Sequence, residues 1–505
     1  MTGALALHRA RDAAAVAALG IVLAVVTGVA VGRGSAFAAI ALAVLAAAAL
    51  VPVLAWLGLR AEGLLLFALA ATLSLSLKVH PLFRADHIGG AVGVRISVSD
   101  LLVAGIAVLV LLRAHGSIRL AAPRLLVWPI VAWTAFALLS TVLGPDPELG
   151  FFQILAMLQS ALLFLFLSNY VNSRRRLEIL FAGLLCGLVM QSAAAVAQWR
   201  FPGQFELTAL GSQAQGEVVV TSGGEIDLPS VDLGQTVVAG QVLVRPMGML
   251  IHANLLAVFL VTQLLLAVCL AQSGRTALVR WAATASAAIG ALALYATLSR
   301  SGWGVAVIGF GVWLLLSWRW RALRLRPAHR VAATLAGIGL AAAVWRAAPL
   351  IWLRLTETAS EAVSFRSNLS IAALRLWADH PIAGAGLNTF VQHVAEYDPS
   401  GMSRIRAFPV HNIFLLELSE AGIGAGLAIV AFAFLTIRET WKRAHRCRGE
   451  AARLRGIALF AGVLCFWIAD MFAFSFRIPV MAGVLWSLVA IAIANQRVDA
   501  AEGGR

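Results

Sequence analysis

Apolar residues come in this chain as long unbroken runs, most close to twenty residues, separated by short stretches rich in Arg, Gly, Pro and Ser. The runs do not alternate apolar with polar positions, so they lack the strand pattern of a membrane barrel. A helix needs about 20 apolar residues to cross a bilayer core. The pattern therefore predicts an all-α, polytopic membrane protein with about 12–14 spans. They fall near residues 14–32, 36–57, 62–77, 97–112, 125–143, 151–171, 178–199, 249–271, 280–298, 302–318, 331–348, 411–436, 456–474 and 479–495. The organisation that follows is N-terminal membrane helices (1–200), a β-rich loop (201–248), central membrane helices (249–348), a large, partly helical loop (349–410), and C-terminal membrane helices with a tail (411–505).

Composition agrees with this reading. The chain has 505 residues, 61% of them hydrophobic and 12% charged, against roughly a quarter charged in a soluble domain. A net charge of +15 would suit a nucleic-acid partner, but its distribution points to topology instead. Arg9 and Arg11, then Arg113, Arg119 and Arg124, then Arg174 to Arg176, then Arg319 to Arg330, then Arg438 to Arg455 all fall on one side of the predicted membrane. By the positive-inside rule that side, with both termini, is cytoplasmic, and no nucleic acid is expected as a partner. The first run has no small-residue cleavage site after it and reads as a retained anchor. Segments 78–96, 200–248 and 349–410 then face outward, to the periplasm of a bacterial inner membrane. None of these holds a cysteine: Cys186, Cys269 and Cys465 lie in spans and Cys447 in a cytoplasmic loop. No disulfide, metal site or cofactor is expected.

Two outward loops are informative. Residues 211–244 carry β-branched runs separated by Ser222-Gly223-Gly224 and Gly240-Gln241, which predicts one or two β hairpins. Residues 231–241 resemble half of a lipoyl-type hairpin, but such carriers need a lysine, and the chain has only Lys78 and Lys442, so the segment reads as a structural cap. In the second loop, Ile371 to Asp379 has helical spacing, stops at His380-Pro381 and turns at Gly384-Ala385-Gly386, with His411-Asn412 at the mouth of the next span.

The run from Asp379 to Phe390, His411-Asn412-Ile413-Phe414-Leu415 leading into Glu420-Ala421-Gly422-Ile423-Gly424, and Ser299-Arg300-Ser301-Gly302 upstream together resemble the bacterial O-antigen ligase and polymerase superfamily of membrane glycosyltransferases. Arg245-Pro246-Met247-Gly248 with His252-Ala253-Asn254 is a looser match, with Ala253 where the family more often has Pro. The resemblance covers roughly residues 245–436. It implies transfer of a glycan from an undecaprenyl-diphosphate carrier to the hydroxyl of a glycolipid or glycan acceptor, on the periplasmic face and without a metal.

The residues permit that chemistry. A departing diphosphate needs its charge stabilised, and arginine's planar fork binds phosphate oxygens bidentately. Arg245 and Arg300 stand at outer span ends, where position alone would make them interfacial anchors. His411 is the candidate base, and with no carboxylate evident as nucleophile the expected course is inversion. Asn412, His252, Asn254, His380 and Gly386 are candidate supporting residues. On an ideal helix Glu420 lies about 180° and Glu417 about 240° round from His411, so neither orients that ring from its own helix. Both are expected to pair with groups on neighbouring spans, Glu420 also being a candidate supporting residue and Arg477 a further candidate phosphate contact. A ligase with a lipid A core or other glycolipid acceptor is the leading expectation. A polymerase joining carrier-linked repeats is the alternative within the class, and a transporter or flippase the alternative outside it.

Overall fold

The computed structural model describes residues 59–75, 78–84, 87, 89–113, 123–201, 235–238, 241–322, 359–404 and 407–503. The predicted spans 14–32, 36–57 and 331–348 lie outside these residues, as does the first part of the 211–244 segment. Among the described residues, nine helices are long and apolar enough to cross a membrane. In chain order the elements are α1 (Leu59–Thr72), β1 (Lys78–Phe83), β2 (Gly93–Ser97), α2 (Val98–Arg113), α3 (Arg124–Leu143), α4 (Pro147–Tyr170), α5 (Arg174–Arg200), β3 (Gln235–Val238), β4 (Gln241–Val244), α6 (Ala253–Ser273), α7 (Ala277–Ala296), α8 (Arg300–Arg319), α9 (Ala359–Asp379), α10 (Phe390–Tyr397), α11 (Ile413–Arg446), α12 (Glu450–Asp470) and α13 (Pro479–Gly503).

The helices begin where the sequence supplies a cap. Asp146 with Pro147, Ser173, Thr276 and Ser299 accept backbone N–H groups at the starts of α4, α5, α7 and α8, satisfying donors that have no partner within a helix. Short turns at 144–146, 171–173, 274–276, 297–299 and 447–449 make these helices alternate in direction. Helices α6 and α13 are the most enclosed, each with 89% of its apolar window buried, and α12 packs against both. The outer helices instead expose Trp128, Val307, Trp318 and Phe434. So much large apolar surface would associate in water, and it fits contact with lipid tails.

The structure corrects two expectations. Helices α1 and α2 have 14 and 16 residues, and the antiparallel β1–β2 hairpin stands between them, where the sequence read as a simple loop. The segment predicted to become helical at Ile371 begins that helix by Ala359. The expected hairpin in the 211–244 region is present as β3–β4, registered from Gln235 opposite Val244 to Val238 opposite Gln241.

Candidate functional site

One end of the bundle gathers the starts of α6, α8 and α11 with α9 and the chain from 380 to 412. The physical key is a break in α11 at Gly422, where φ is 77° and ψ −176°. A break frees backbone groups that must find other partners. The freed Ser419 and Glu420 carbonyls accept from the N–H groups of Ala385 (3.0 Å) and Gly386 (3.1 Å), and the Ile423 N–H donates to the Pro381 carbonyl at 3.0 Å. Gly384 and Gly422 are glycines for a steric reason as well: a Cβ on the first would strike the Glu420 carbonyl, and one on the second the Ile382 carbonyl. The 381–386 turn and the broken helix are therefore one joint.

Beneath the joint lies a buried charge knot, paired through both terminal nitrogens of Arg477 while its Nε is left without a partner. Arg477 has no solvent exposure; its Nη1 donates to Glu417 Oε1 at 2.7 Å and its Nη2 to Glu420 Oε2. Glu417 Oε2 also accepts from Trp133 Nε1 at 2.7 Å. Glu420 accepts from the backbone N–H groups of Asn388 (2.7 Å) and Phe390 (2.9 Å). Asn388, at φ 66°, donates through Nδ2 to the carbonyls of Ala91 and Leu149. Glu417 and Glu420 are thus paired with a neighbouring segment, as their burial required, and the partner is Arg477. Both of its terminal nitrogens are engaged by carboxylates, so in this arrangement it holds the fold together.

Beside this knot is a second group of cations. Arg245 Nε donates to the Thr297 carbonyl at 2.9 Å, and Nη2 to Asn254 Oδ1 at 2.6 Å. Asn254 Oδ1 also accepts from Ser299 Oγ (3.0 Å), the cap of α8. Asn254 thereby ties Arg245 to the helix start that carries Arg300. His252 caps α6: its Nδ1 accepts from the Asn254 N–H at 3.0 Å, which leaves Nε2 to carry the proton in the neutral ring. Asn412 caps α11, accepting from Phe414 N (3.0 Å) and Leu415 N (3.2 Å), and so fixes the approach of His411. The His411 ring stands edge-on to Phe474, centroids 5.7 Å apart.

Electrostatics link these side chains. Burial, then the charges of Arg245, of His411 when protonated, and of Arg366, pull His252 down to about 3. Burial, then Arg366, pull His411 to about 4; the Pro409 backbone opposes this, although Nδ1 itself is buried without a hydrogen-bond partner. Arg366 is lowered in turn by burial and by Arg300. Both rings are therefore neutral at neutral pH. Arg366 forms no ion pair among the described residues, and it is held over the site by α9: neighbouring Phe365 meets Phe408 edge-on at 6.1 Å, and Leu369, Ala373 and Leu376 pack with Val410 and Leu416.

Sequence reasoning placed Arg245, Arg300, His252, Asn254, His411 and Asn412 at one end, and the structure brings them together. It missed Arg366, whose only sequence signal was a basic residue about one turn before the helix predicted from Ile371. Gly386 belongs to the joint and Glu420 to the buried knot. His380 closes α9, its N–H donating to Leu376 and Trp377 carbonyls, and its side chain is exposed. Among the described residues no three His, Cys, Asp or Glu side chains gather at metal-binding distance.

Fold and site together define a multi-pass membrane protein with a group of arginine and histidine side chains gathered at one end of its bundle. A family model described as O-antigen ligase matches residues 285–430, which supports the resemblance to the O-antigen ligase and polymerase superfamily. The match runs from within α7 to within α11, taking in Arg300, Arg366, the joint and His411. No curated protein matches the chain.

Proposed function

We propose that the protein transfers a glycan from an undecaprenyl-diphosphate carrier to an acceptor hydroxyl at the periplasmic face of the bacterial inner membrane. The observation that carries this is the positive charge gathered at the starts of α6 and α8 and on α9. Every neighbouring side-chain charge acting on His252, Arg366 and His411 is positive, and the starts of two tied helices, α6 and α8, add their own positive potential. Such a place favours a polyanion, and a diphosphate fits it. Arg245 and Arg300 grip the diphosphate oxygens, and Arg366, on α9, closes over them. The orientation rests on the Arg-rich turns at the other end of the bundle.

In the reaction, neutral His411 takes the proton of the acceptor hydroxyl as its oxygen attacks the anomeric carbon. The bond from that carbon to the diphosphate oxygen breaks, and the carrier diphosphate leaves with the electron pair. Attack opposite the leaving group inverts the centre. A bound diphosphate also offsets the positive field that holds His411 down, so it raises the basicity of the ring when the donor is in place. Glycolipid acceptors are favoured, which makes the protein ligase-like.

The test supplies purified protein in nanodiscs with carrier-linked glycan and either a lipid A core acceptor or a second carrier-linked repeat. Ligated glycolipid supports the ligase reading, and a lengthened carrier-linked chain the polymerase reading. Absence of both products, with glycan carried across a sealed vesicle instead, would overturn glycosyl transfer.

A further inference from the structure

The β1–β2 hairpin lies outside that group of arginine and histidine side chains and has a chemistry of its own. Its register pairs Lys78 with Ser97 and Val79 with Ile96, then Leu82 with Val94. Between those pairs His80 and Pro81 stand opposite Arg95 alone, a bulge that Pro81 suits because it has no N–H to leave unpaired. Alternation about this register puts Lys78, His80, Arg95 and Ser97 on one face, and Val79, Leu82, Val94 and Ile96 on the other.

The cationic face is short of anions. Arg95 keeps 10% of its side chain exposed, and its one acidic neighbour among the described residues is Asp100, with Nη2 to Oδ2 at 4.0 Å. That same Asp100 oxygen already accepts from Ser97 N (2.8 Å) and Ser97 Oγ (2.6 Å). Arg95 Nε is buried with no hydrogen-bond partner. Lys78 is exposed and forms no ion pair among the described residues.

Depth makes this costly. The Arg95 carbonyl accepts from Gln159 Nε2 at 2.8 Å, and Gln159 lies well inside α4, about 18 Å along the axis from its first residue. The hairpin joins the end of α1 at Thr72 to the start of α2 at Val98, so it stands at the same level of the bundle as the middle of α4. Polar backbone and charge at such depth persist where they line a cavity or meet a partner. The opposite face exposes Val79 (49%) and Leu82 (55%) to the surrounding lipid.

We propose that Lys78 and Arg95 form a binding site for the phosphate of an anionic membrane lipid, with His80 as a further polar contact and the acyl chains running along Val79 and Leu82. A lipid phosphate supplies a closer acceptor for the exposed end of the Arg95 guanidinium, whose Nη2 has the Asp100 oxygen only at 4.0 Å, and its chains are compatible with the apolar face beside it. This site is independent of glycosyl transfer.

Native mass spectrometry of the full chain in detergent, titrated with phosphatidylglycerol, phosphatidylcholine or a bis-phosphorylated glycolipid of the lipid A type, tests it. Each cation beside a lipid phosphate is worth about fivefold in affinity, so the Lys78→Gln/Arg95→Gln variant should bind the anionic lipid roughly 30-fold more weakly. Lys78→Arg should keep it, phosphatidylcholine should be indifferent to all variants, and Arg375→Gln, at an exposed position elsewhere, should change nothing. Preference for phosphatidylglycerol or for the glycolipid identifies the source of the phosphate. If the double variant does not fold, Lys78→Gln alone, at an exposed strand end, should still lose about fivefold. Equal anionic-lipid affinity in wild type and Lys78→Gln, or an equal loss in Arg375→Gln, would overturn the site.

Discussion

Arg477→Gln separates a scaffold from a ligand. The wild-type guanidinium is fully buried between Glu417 and Glu420, whose side chains are 0% and 4% exposed. Glutamine removes the charge and leaves two carboxylates in a place that water does not reach. Breaking one buried pair by deleting a partner costs about 3–5 kcal/mol. The second carboxylate adds to this until it takes a proton, and the Asn388 and Phe390 N–H groups depend on the same Glu420. A loss of about 3–5 kcal/mol is therefore a lower bound, and in a chain of 505 residues the thermal midpoint should fall by about 3–5 °C or more. The assay is thermal unfolding of the purified protein in one detergent, read alongside binding of carrier-linked donor at a temperature where the variant is still folded. Combining Arg477→Met with Glu417→Gln and Glu420→Gln should recover part of the loss, because the amide oxygens can still accept from Trp133 and the backbone while no charge is left unpaired. A variant Arg477→Gln with the wild-type midpoint and abolished donor binding would refute the reasoning and return Arg477 to the diphosphate.

Arg245→Lys and Arg300→Lys keep the charge but lose the fork, and each should cost roughly tenfold or more in kcat/KM with normal insertion; full activity in both would reduce them to anchors. His411→Ala should lower turnover by about 100-fold or more while donor still binds, and wild-type turnover in a folded variant would remove it as the base. Because His411 in the free protein sits at about 4, kcat/KM should hold as pH falls from 7 and decline only as protonation sets in near that value; Arg366→Gln, by removing a positive neighbour, should move this decline to higher pH, and an unmoved limb would count against their coupling. Gly422→Ala forces a side chain onto the Ile382 carbonyl at a positive φ, so the folded yield should drop sharply in a size-exclusion assay, whereas an unchanged profile would mean the joint can open cheaply. A cysteine at Ser400 should be labelled from outside intact spheroplasts and one at Ser173 should not; the reverse pattern would invert the proposed orientation.

Much of the fold was legible because a bilayer imposes one period and one length on every crossing helix. The runs near 125–143, 151–171, 178–199, 249–271, 280–298, 302–318, 411–436, 456–474 and 479–495 each contain or overlap a long helix of the structure. The run at 97–112 is a helix at Val98–Arg113, close to its expected bounds, whereas the run at 62–77 leaves the helix at Thr72, ahead of the hairpin that carries Lys78 and Arg95. Site residues were legible where a motif also marked a helix start, as at Ser299-Arg300 and His411-Asn412. Arg366 was not, because its significance comes from the packing of Phe365 on Phe408 and of α9 on α11, contacts that join positions more than forty residues apart. The Gly384, Gly386 and Gly422 positions were visible as a motif, but their purpose, the exchange of backbone hydrogen bonds across a broken helix, was not.

The two cation groups show how a membrane protein can carry buried arginine for opposite ends. Arg477 is answered on both terminal nitrogens by carboxylates, and those carboxylates are answered by Trp133 and by two backbone N–H groups, so the knot has little left with which to attract a ligand. Its work is to hold residues 388–390 and the broken α11 in one arrangement, which in turn sets where the chain re-enters at His411. Arg366, partly buried, forms no ion pair among the described residues, and the charge acting on it is that of Arg300. That arrangement is unfavourable in the empty protein and favourable once a polyanion enters. A residue that stabilises the fold is thus recognised by its answered charge, and one that waits for a ligand by a charge left open at a position the fold has gone to some cost to hold.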